Sequence, residues 1–511
     1  MSRAKSAFLG SISSQLFMVT TMLLAMVTTP YILKFLDQEE YGLSTILFQI
    51  IGYLGMFDFG LGSAIARYLA STRGDDETSR LAFNKVISTS FFVYTLLGAV
   101  VVFTGIYYSP AIPRLFHMSS DLHGVATSIG LSLSVLIGLQ FPLRVFSSIF
   151  FAHQRQLLSN AMGFITNIIN LVLPLLFLYL GYGLWAFVYT NAITVFIHVI
   201  TTIYFMRRFY PFLKLRWRYF DKQLLSQMFG FGFFMFLNAI AVQVIFFTDR
   251  FFIGTFVSLS AVTVFYLSAK IPEIAMNLIF KITDNTYPAM VEVSTNKDVN
   301  TFKTVHHKLL LITTCCAAVA FWLVLIFSQS FIKLWVGPEF FAGVRILVLT
   351  LVLMLLHSIH HVTAVCLNGA GIVKGFTVVS IIEAGINVVL TLFLGKKFGI
   401  EGILLATIIA NCLTSLWYTP RCAIKYMGIS VADYLFRPVL IPLISVSVVG
   451  LLLFFSSKLL FASLEITWLT FTSFAIVEST IFAAFIWIIF LRKEFSYYIP
   501  FKYKRFLLLS S

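Results

Sequence analysis

Hydrophobic side chains make up 59% of the 511 residues and charged ones 11%, with a mean hydropathy of +0.93. Soluble domains carry about 25% charged residues, so this composition excludes one. The chain is long enough for a dozen or more membrane spans of roughly 20 residues, and its net charge of +15 belongs to the loops between them.

Arg3 and Lys5 precede an apolar run from Phe8 to about Leu36. That run far exceeds the roughly 7–15 residues of a signal-peptide core, so it reads as a retained first span. Polar breaks follow near 37–40, 71–82, 110–123, 153–155, 181–183, 207–223 and 257–259, then near 293–304, 334–338, 369–374, 396–401, 421–433 and 462–465. Thirteen connections predict fourteen helices and put both termini on one side. With that side cytoplasmic, most basic residues fall inside, among them Arg73, Arg80, Lys85, Arg207, Arg208, Lys214, Arg216, Arg218, Lys303, Lys308, Lys425 and Arg437. Few fall outside, as the positive-inside rule requires. The basic charge then lies beside the anionic inner leaflet, and nucleic acid is not implied.

No connection is long enough to fold alone. The largest, "RRFYPFLKLRWRYFDKQ" (207–223), is basic and aromatic and is expected to lie on the membrane surface between two six-helix bundles. Any chemistry must therefore take place within the membrane.

Eleven charged residues fall inside predicted spans: Asp58, Arg67, Arg144, Asp249, Arg250, Lys270, Glu273, Lys281, Asp284, Glu383 and Glu478. Each costs roughly 2.5–3.5 kcal/mol at the bilayer centre, on the order of 30 kcal/mol together if all faced lipid. Those near helix ends, such as Arg67 and Arg144, snorkel. The central ones must face each other or a water-filled cavity. The eighth span makes the case most clearly: in "AKIPEIAMNLIFKITDNTYP" (269–288), Lys270, Glu273, Asn277, Lys281 and Asp284 recur at helical steps and form one polar stripe. The seventh span adds Asp249 and Arg250, with Asn238 on the face of Asp249. The second adds Gln49, Tyr53, Ser63 and Arg67, with Asp58 offset. Together they are expected to line one cavity, the competing view being that Lys270–Glu273 and Lys281–Asp284 are ion pairs that only hold helices together.

His357, His360 and His361 share a helix face and read either as polar packing or as a proton relay. Cys315, Cys316, Cys366, Cys412 and Cys422 lie in or beside apolar segments without metal-ligand spacing and read as small hydrophobes.

The second span, "EEYGLSTILFQIIGYLGMFDFGLGSAIARYLA" (39–70), resembles the Wzx-type polysaccharide (O-antigen repeat-unit) flippases, of the superfamily that also holds multidrug exporters and lipid II flippases. "FFTDRFFIGTFVSLSAVTVFYLSAKIPEI" (246–274), "YPAM" (287–290) and "LNGAGIVKG" (367–375) carry the same resemblance in the second half. It implies an all-α integral membrane protein of about 14 helices. An N-terminal lobe (1–206), the basic amphipathic cytoplasmic linker (207–223) and a C-terminal lobe (224–428) would form two six-helix lobes around a central cavity, followed by two extra helices and a basic tail (429–511).

It further implies alternating access, moving a polyprenyl-pyrophosphate-linked oligosaccharide between leaflets of the cytoplasmic membrane for surface polysaccharide, in company with polymerases or glycosyltransferases. Cationic donors suit a pyrophosphate, arginine as a bidentate fork. Arg250, Lys270, Lys281 and Arg67, with Glu273, Asn277 and Tyr53, are the substrate-binding candidates, and Phe57 and Tyr266 are possible sugar platforms. Asp58, Asp249 and Glu383 are the candidates for a coupling Na+ or H+. No catalytic residue, metal or cofactor is expected. The rivals are a cation-coupled drug exporter of the same fold, weakened by Arg250 and Lys270, and a polyprenyl-sugar glycosyltransferase using "DQEE" (37–40), for which the loops are too short.

Overall fold

The computed structural model describes residues 20–55, 61–70, 76–152, 156–372, 374–463 and 465–492. Among them every regular element is helical and none is a strand. A backbone in lipid must satisfy its own N–H and C=O groups, and a helix does so within one segment.

The principal helices are α1 (Gln38–Gly55), α2 (Leu61–Ala70), α3 (Glu77–Tyr108), α4 (His123–Ala152), α5 (Gln156–Tyr179), α6 (Trp185–Phe209), α7 (Lys222–Phe256) and α8 (Leu259–Asp284). They continue as α9 (Tyr287–Thr295), α10 (Val299–Trp335), α11 (Val344–Gly369), α12 (Lys374–Leu413), α13 (Ser415–Met427), α14 (Val431–Leu435), α15 (Ile441–Ser463) and α16 (Trp468–Ile486). Ten runs of described residues are long and apolar enough to cross a membrane. The longest, Gly375–Met427, is broken at Gly399, whose φ of 59° and ψ of −134° no helix accommodates. Asn387 bonds Thr407 and Glu383 bonds Asn411 across that break, so the two halves run antiparallel and make two passes. Thr20–Ile32, α1 with α2, and α7 fill the places of the first, second and seventh spans, which agrees with fourteen helices in a multi-pass membrane protein.

The chain divides into two units, Met1–Thr263 and Val264–Ser511. Helix α7 packs on α1, α2 and α3 and falls in the first unit, although it begins near the 224 boundary that hydropathy gives the second lobe. The aromatic edge of Phe116 against Phe251, 5.4 Å between centroids, is one of the contacts that hold it there.

In the first unit α3 and α4 are the most closely packed pair. Gly98 and Gly138 face each other: a Cβ on Gly98 would collide with the Gly138 carbonyl oxygen. Small residues of this kind let helices approach closely in lipid, where apolar burial no longer drives association.

The 207–223 connection is held against the start of α3. Lys214 N–H donates to Asn84 Oδ1 at 2.8 Å, Arg216 N–H to Ser88 Oγ at 3.3 Å and Asp221 N–H to Thr89 Oγ1 at 2.9 Å. Trp217 stacks on Phe220 and edges against Phe92. Asp221 then caps α7, accepting from Gln223 and Leu224 N–H at 3.0 Å each, and Lys85 Nζ stands 3.7 Å away. The Leu224 N–H first, and Lys85 after it, hold the Asp221 carboxyl below its ordinary range.

Candidate functional site

Helix α8 carries the polar stripe. Its buried side is made by Phe265, Ala269, Pro272, Ile279 and Thr283. At about 100° per residue, Tyr266, Lys270, Glu273, Asn277, Lys281 and Asp284 lie roughly a third of a turn away. Five of these six are half-buried and Asn277 is exposed. The six thus share one partly accessible face of α8 in the second unit. Pro272, midway along, has no N–H to give the Ser268 carbonyl. The Ser268 hydroxyl ties α8 to the loop after α10, donating to Phe340 O at 3.0 Å and accepting from Ala342 N–H at 2.8 Å.

Two groupings stand on the stripe. At one end Lys270 Nζ donates to Tyr266 OH at 2.9 Å and lies 4.8 Å from that ring's centroid, so one turn of helix holds the ammonium in place. At the other end Lys281 Nζ lies 3.5 Å from Asp284 Oδ2, and His361 of α11 donates from Nε2 to Asp284 Oδ1 at 2.8 Å. The imidazole also stacks on Phe280, with centroids 3.9 Å apart and planes 12° from parallel. A cation, a carboxylate and an imidazole therefore meet between α8 and α11.

His361 is the residue that sequence reasoning left unassigned. Its signal was the histidine cluster on one helix face. His360 shares a hydrogen bond with Thr419 Oγ1 at 2.9 Å, and His357 is buried. The three serve different surroundings, and among the described residues no group of three or more histidine, cysteine or acidic side chains is placed to hold a metal ion.

The other predicted residues are distributed as follows. Asp249 and Arg250 stand half-buried on α7 in the first unit, each engaged in an interaction. Glu383 is 2% exposed and enclosed: Asn411 Nδ2 donates to it at 3.0 Å and Ser415 Oγ donates to its other oxygen. Its carboxylate joins the two passes of α12–α13, as the neighbouring Asn387–Thr407 bond of 2.8 Å does. Asp58, and the side chains of Tyr53 and Arg67, lie outside the described residues. All five cysteines are free thiols, Cys315 and Cys366 buried, Cys316 and Cys422 half-buried and Cys412 exposed.

A family model described as polysaccharide biosynthesis protein matches residues 9–294. A protein named for O-antigen transport in Shigella flexneri is 23% identical over 408 residues, 79% of this chain and 95% of its own. The uncharacterised membrane protein EpsK of Bacillus subtilis is 21% identical over 413 residues, 78% of this chain and 79% of its own. Among solved structures, a lipid II flippase (MurJ, inward closed) aligns with a TM-score of 0.72 at 16% identity, covering 93% of this chain and 99% of that one. An inward-facing multidrug transporter of the MATE family aligns at 0.61 and 14% identity, covering 81% and 96%. The fold is the one these transporters share.

Proposed function

The chain belongs to the polysaccharide biosynthesis protein family, and from that premise we propose that it moves a polyprenyl-pyrophosphate-linked oligosaccharide from the inner to the outer leaflet. It is a membrane transporter of the flippase kind and not an enzyme. The observation that carries the substrate class is the α8 stripe, in which Lys270 and Lys281 are held half-buried on an open face of an otherwise apolar helix. Ammonium groups in a site of low dielectric attract a pyrophosphate far more strongly than they do in water. The likeness to a lipid II flippase and the pair of helices α15 and α16 support a lipid-linked cargo over a free one.

In this reading Lys270, Lys281, Arg250 and Arg67 attract the headgroup, and Glu273, Asn277 and Tyr53 bind sugar hydroxyls. The protein sits in the cytoplasmic membrane with both termini inside, alternates access between two lobes, and supplies polymerases or glycosyltransferases of surface polysaccharide. Asp58 and Asp249 remain coupling-ion candidates for Na+ or H+. We assign the coupling proton to Asp284–His361 ahead of Glu383, because Asn411 and Ser415 already occupy the Glu383 carboxylate.

The test is charge reversal in cells that depend on this chain for surface polysaccharide. Arg250→Glu, Lys270→Glu and the linker control Arg216→Glu are expressed at matched levels, and lipid-linked oligosaccharide is measured in each leaflet. Trapping at the inner leaflet in the first two alone is the expected result. Wild-type behaviour in all three sinks the cationic-headgroup reading and returns the drug-exporter alternative.

A further inference from the structure

In the second unit, α10, the end of α13, α14 and the turn that follows it line a cavity of about 340 Å³ that shares no lining residue with the stripe. Ligand pockets run from about 300 to 1,000 Å³, so this one suits a headgroup rather than an oligosaccharide. Lys303, His307 and Lys308 line it from α10, Asp433 and Tyr434 from α14, and Arg437 from the turn that follows. Three cationic side chains thus face one carboxylate. Asp433 is already partly used: it accepts from the Ser430 hydroxyl at 2.8 Å in the capping box that starts α14, and it attracts Arg437 and His307. Lys303, His307 and Lys308 are half-buried, and Asp433 and Arg437 at the rim are exposed. Withdrawing ammonium groups from water is costly unless an anion accompanies them.

The walls are set in advance. Behind the cavity His306, 2% exposed, shares a 3.1 Å hydrogen bond with Thr363 Oγ1, which shares one of 2.7 Å with Tyr434 OH. That relay joins α10, α11 and α14. Arg437 stands in a π turn, Phe436–Leu440, where Pro438 interrupts the α-helical ladder. Such widened turns are frequent at functional sites, because the extra residue re-aims the side chains beside it.

The depth of the cavity identifies its ligand. From Leu309 to Ile332, α10 carries no charged residue, and at about 1.5 Å per residue this stretch spans about 36 Å, enough for a hydrocarbon core of about 30 Å. Lys308 therefore marks the boundary of the core, and Lys303 and His307 stand at headgroup level. The basic loops mark this face as the cytoplasmic one. There a basic pocket between helices meets anionic lipid.

We propose that this cavity binds the phosphate headgroup of an anionic glycerophospholipid, with Arg437 and Lys303 as its principal donors. The cavity shares no lining residue with the transport stripe, and the proposal holds whatever cargo that stripe carries.

The full chain, purified in a neutral detergent, is given phosphatidylglycerol, cardiolipin or phosphatidylcholine, and retained lipid is measured by native mass spectrometry. Wild type and the linker control Arg216→Glu should retain the two anionic lipids and lose phosphatidylcholine, with inorganic phosphate competing. Lys303→Glu/Arg437→Glu should weaken retention of anionic lipid at least tenfold. Lys303→Gln/Arg437→Gln, which keeps the packing, should give an intermediate loss and decides the matter if the reversal variant does not fold. Equal retention by wild type and the glutamine variant overturns the proposal, as does an equal loss in Arg216→Glu. Retention of polyprenyl pyrophosphate with no retention of either glycerophospholipid also overturns it, by making the cavity a stop for the cargo. None of these readouts involves transport, so failure here leaves the flippase reading untouched.

Discussion

The two units differ in how deeply the side-chain hydrogen bonds between their helices are buried. The first unit is joined at its densest contact by small residues, Gly98 against Gly138, and its longest connection is fastened by the short side chains of α3. The second is joined by buried hydrogen bonds between side chains, Glu383 with Asn411 and Ser415, Asn387 with Thr407 and His306 with Thr363, and by a part-buried one of 3.2 Å from Trp322 to Ser447. Beside these enclosed groups the half-buried charges stand out. On the α8 stripe and in the cavity beside Arg437, charged side chains keep part of their surface accessible. A polar residue in a membrane protein is therefore sorted by what it touches, and its residue type alone does not sort it.

Changes at the Asp284–His361 pair should break this distinction most severely. Asp284→Asn and His361→Gln are each expected to abolish transport while leaving the amount of membrane protein unchanged, and the double variant should do no more than either single. That non-additivity is the sign of two groups acting as one. Additive partial losses in a leaflet assay would show that the pair is only a helix contact.

Glu383 tests the enclosed class. Glu383→Leu leaves the Asn411 and Ser415 donors without their acceptor and should cost about 1–3 kcal/mol for each, measured as a lower midpoint in detergent unfolding. Glu383→Gln keeps an acceptor oxygen, so stability should fall by no more than about 1 kcal/mol and transport should persist. Lost transport in a stable Glu383→Gln protein would restore this residue as a coupling site.

In the first unit, Gly98→Ala places a methyl against the Gly138 carbonyl, and overpacking of this sort costs about 1–3 kcal/mol. The same unfolding assay reads it, and an unchanged midpoint would mean that the seam is looser than its geometry. The smallest effect is expected at Asp221. Losing the α7 cap in Asp221→Ala should cost about 1 kcal/mol at neutral pH. Its carboxyl is held below its ordinary value in the folded chain, so its contribution is present above the ordinary carboxylate pKa and disappears as pH falls through the depressed one. The gap between wild type and Asp221→Ala should therefore close in acid, and a gap independent of pH would remove the charge from the explanation.

Much of this was legible in the residues themselves. A helix in lipid is read one segment at a time, so the number of passes and the stripe on α8 follow from hydropathy and a period of 3.6. The i,i+3 pairing of Lys281 with Asp284 follows from the same period. Partners that stand far apart along the chain were not legible. Nothing in the spacing of His357, His360 and His361 says that only the last reaches Asp284, 77 residues away. Nor does the basic, aromatic composition of 207–223 say that Asn84, Ser88 and Thr89 will bind its backbone.

The sequence by itself determined the solvent, the all-helical architecture and the existence of charges that lipid cannot accept, because each of these depends on local composition and period. Only the tertiary structure decided which charges are enclosed and which stay open. Glu383 and Lys270 look alike as intramembrane charges, yet one meets two donors from the next pass and the other a single tyrosine on its own helix. The physical reason is that burying a charge costs an amount set by the groups that surround it, and those groups are brought together by the fold.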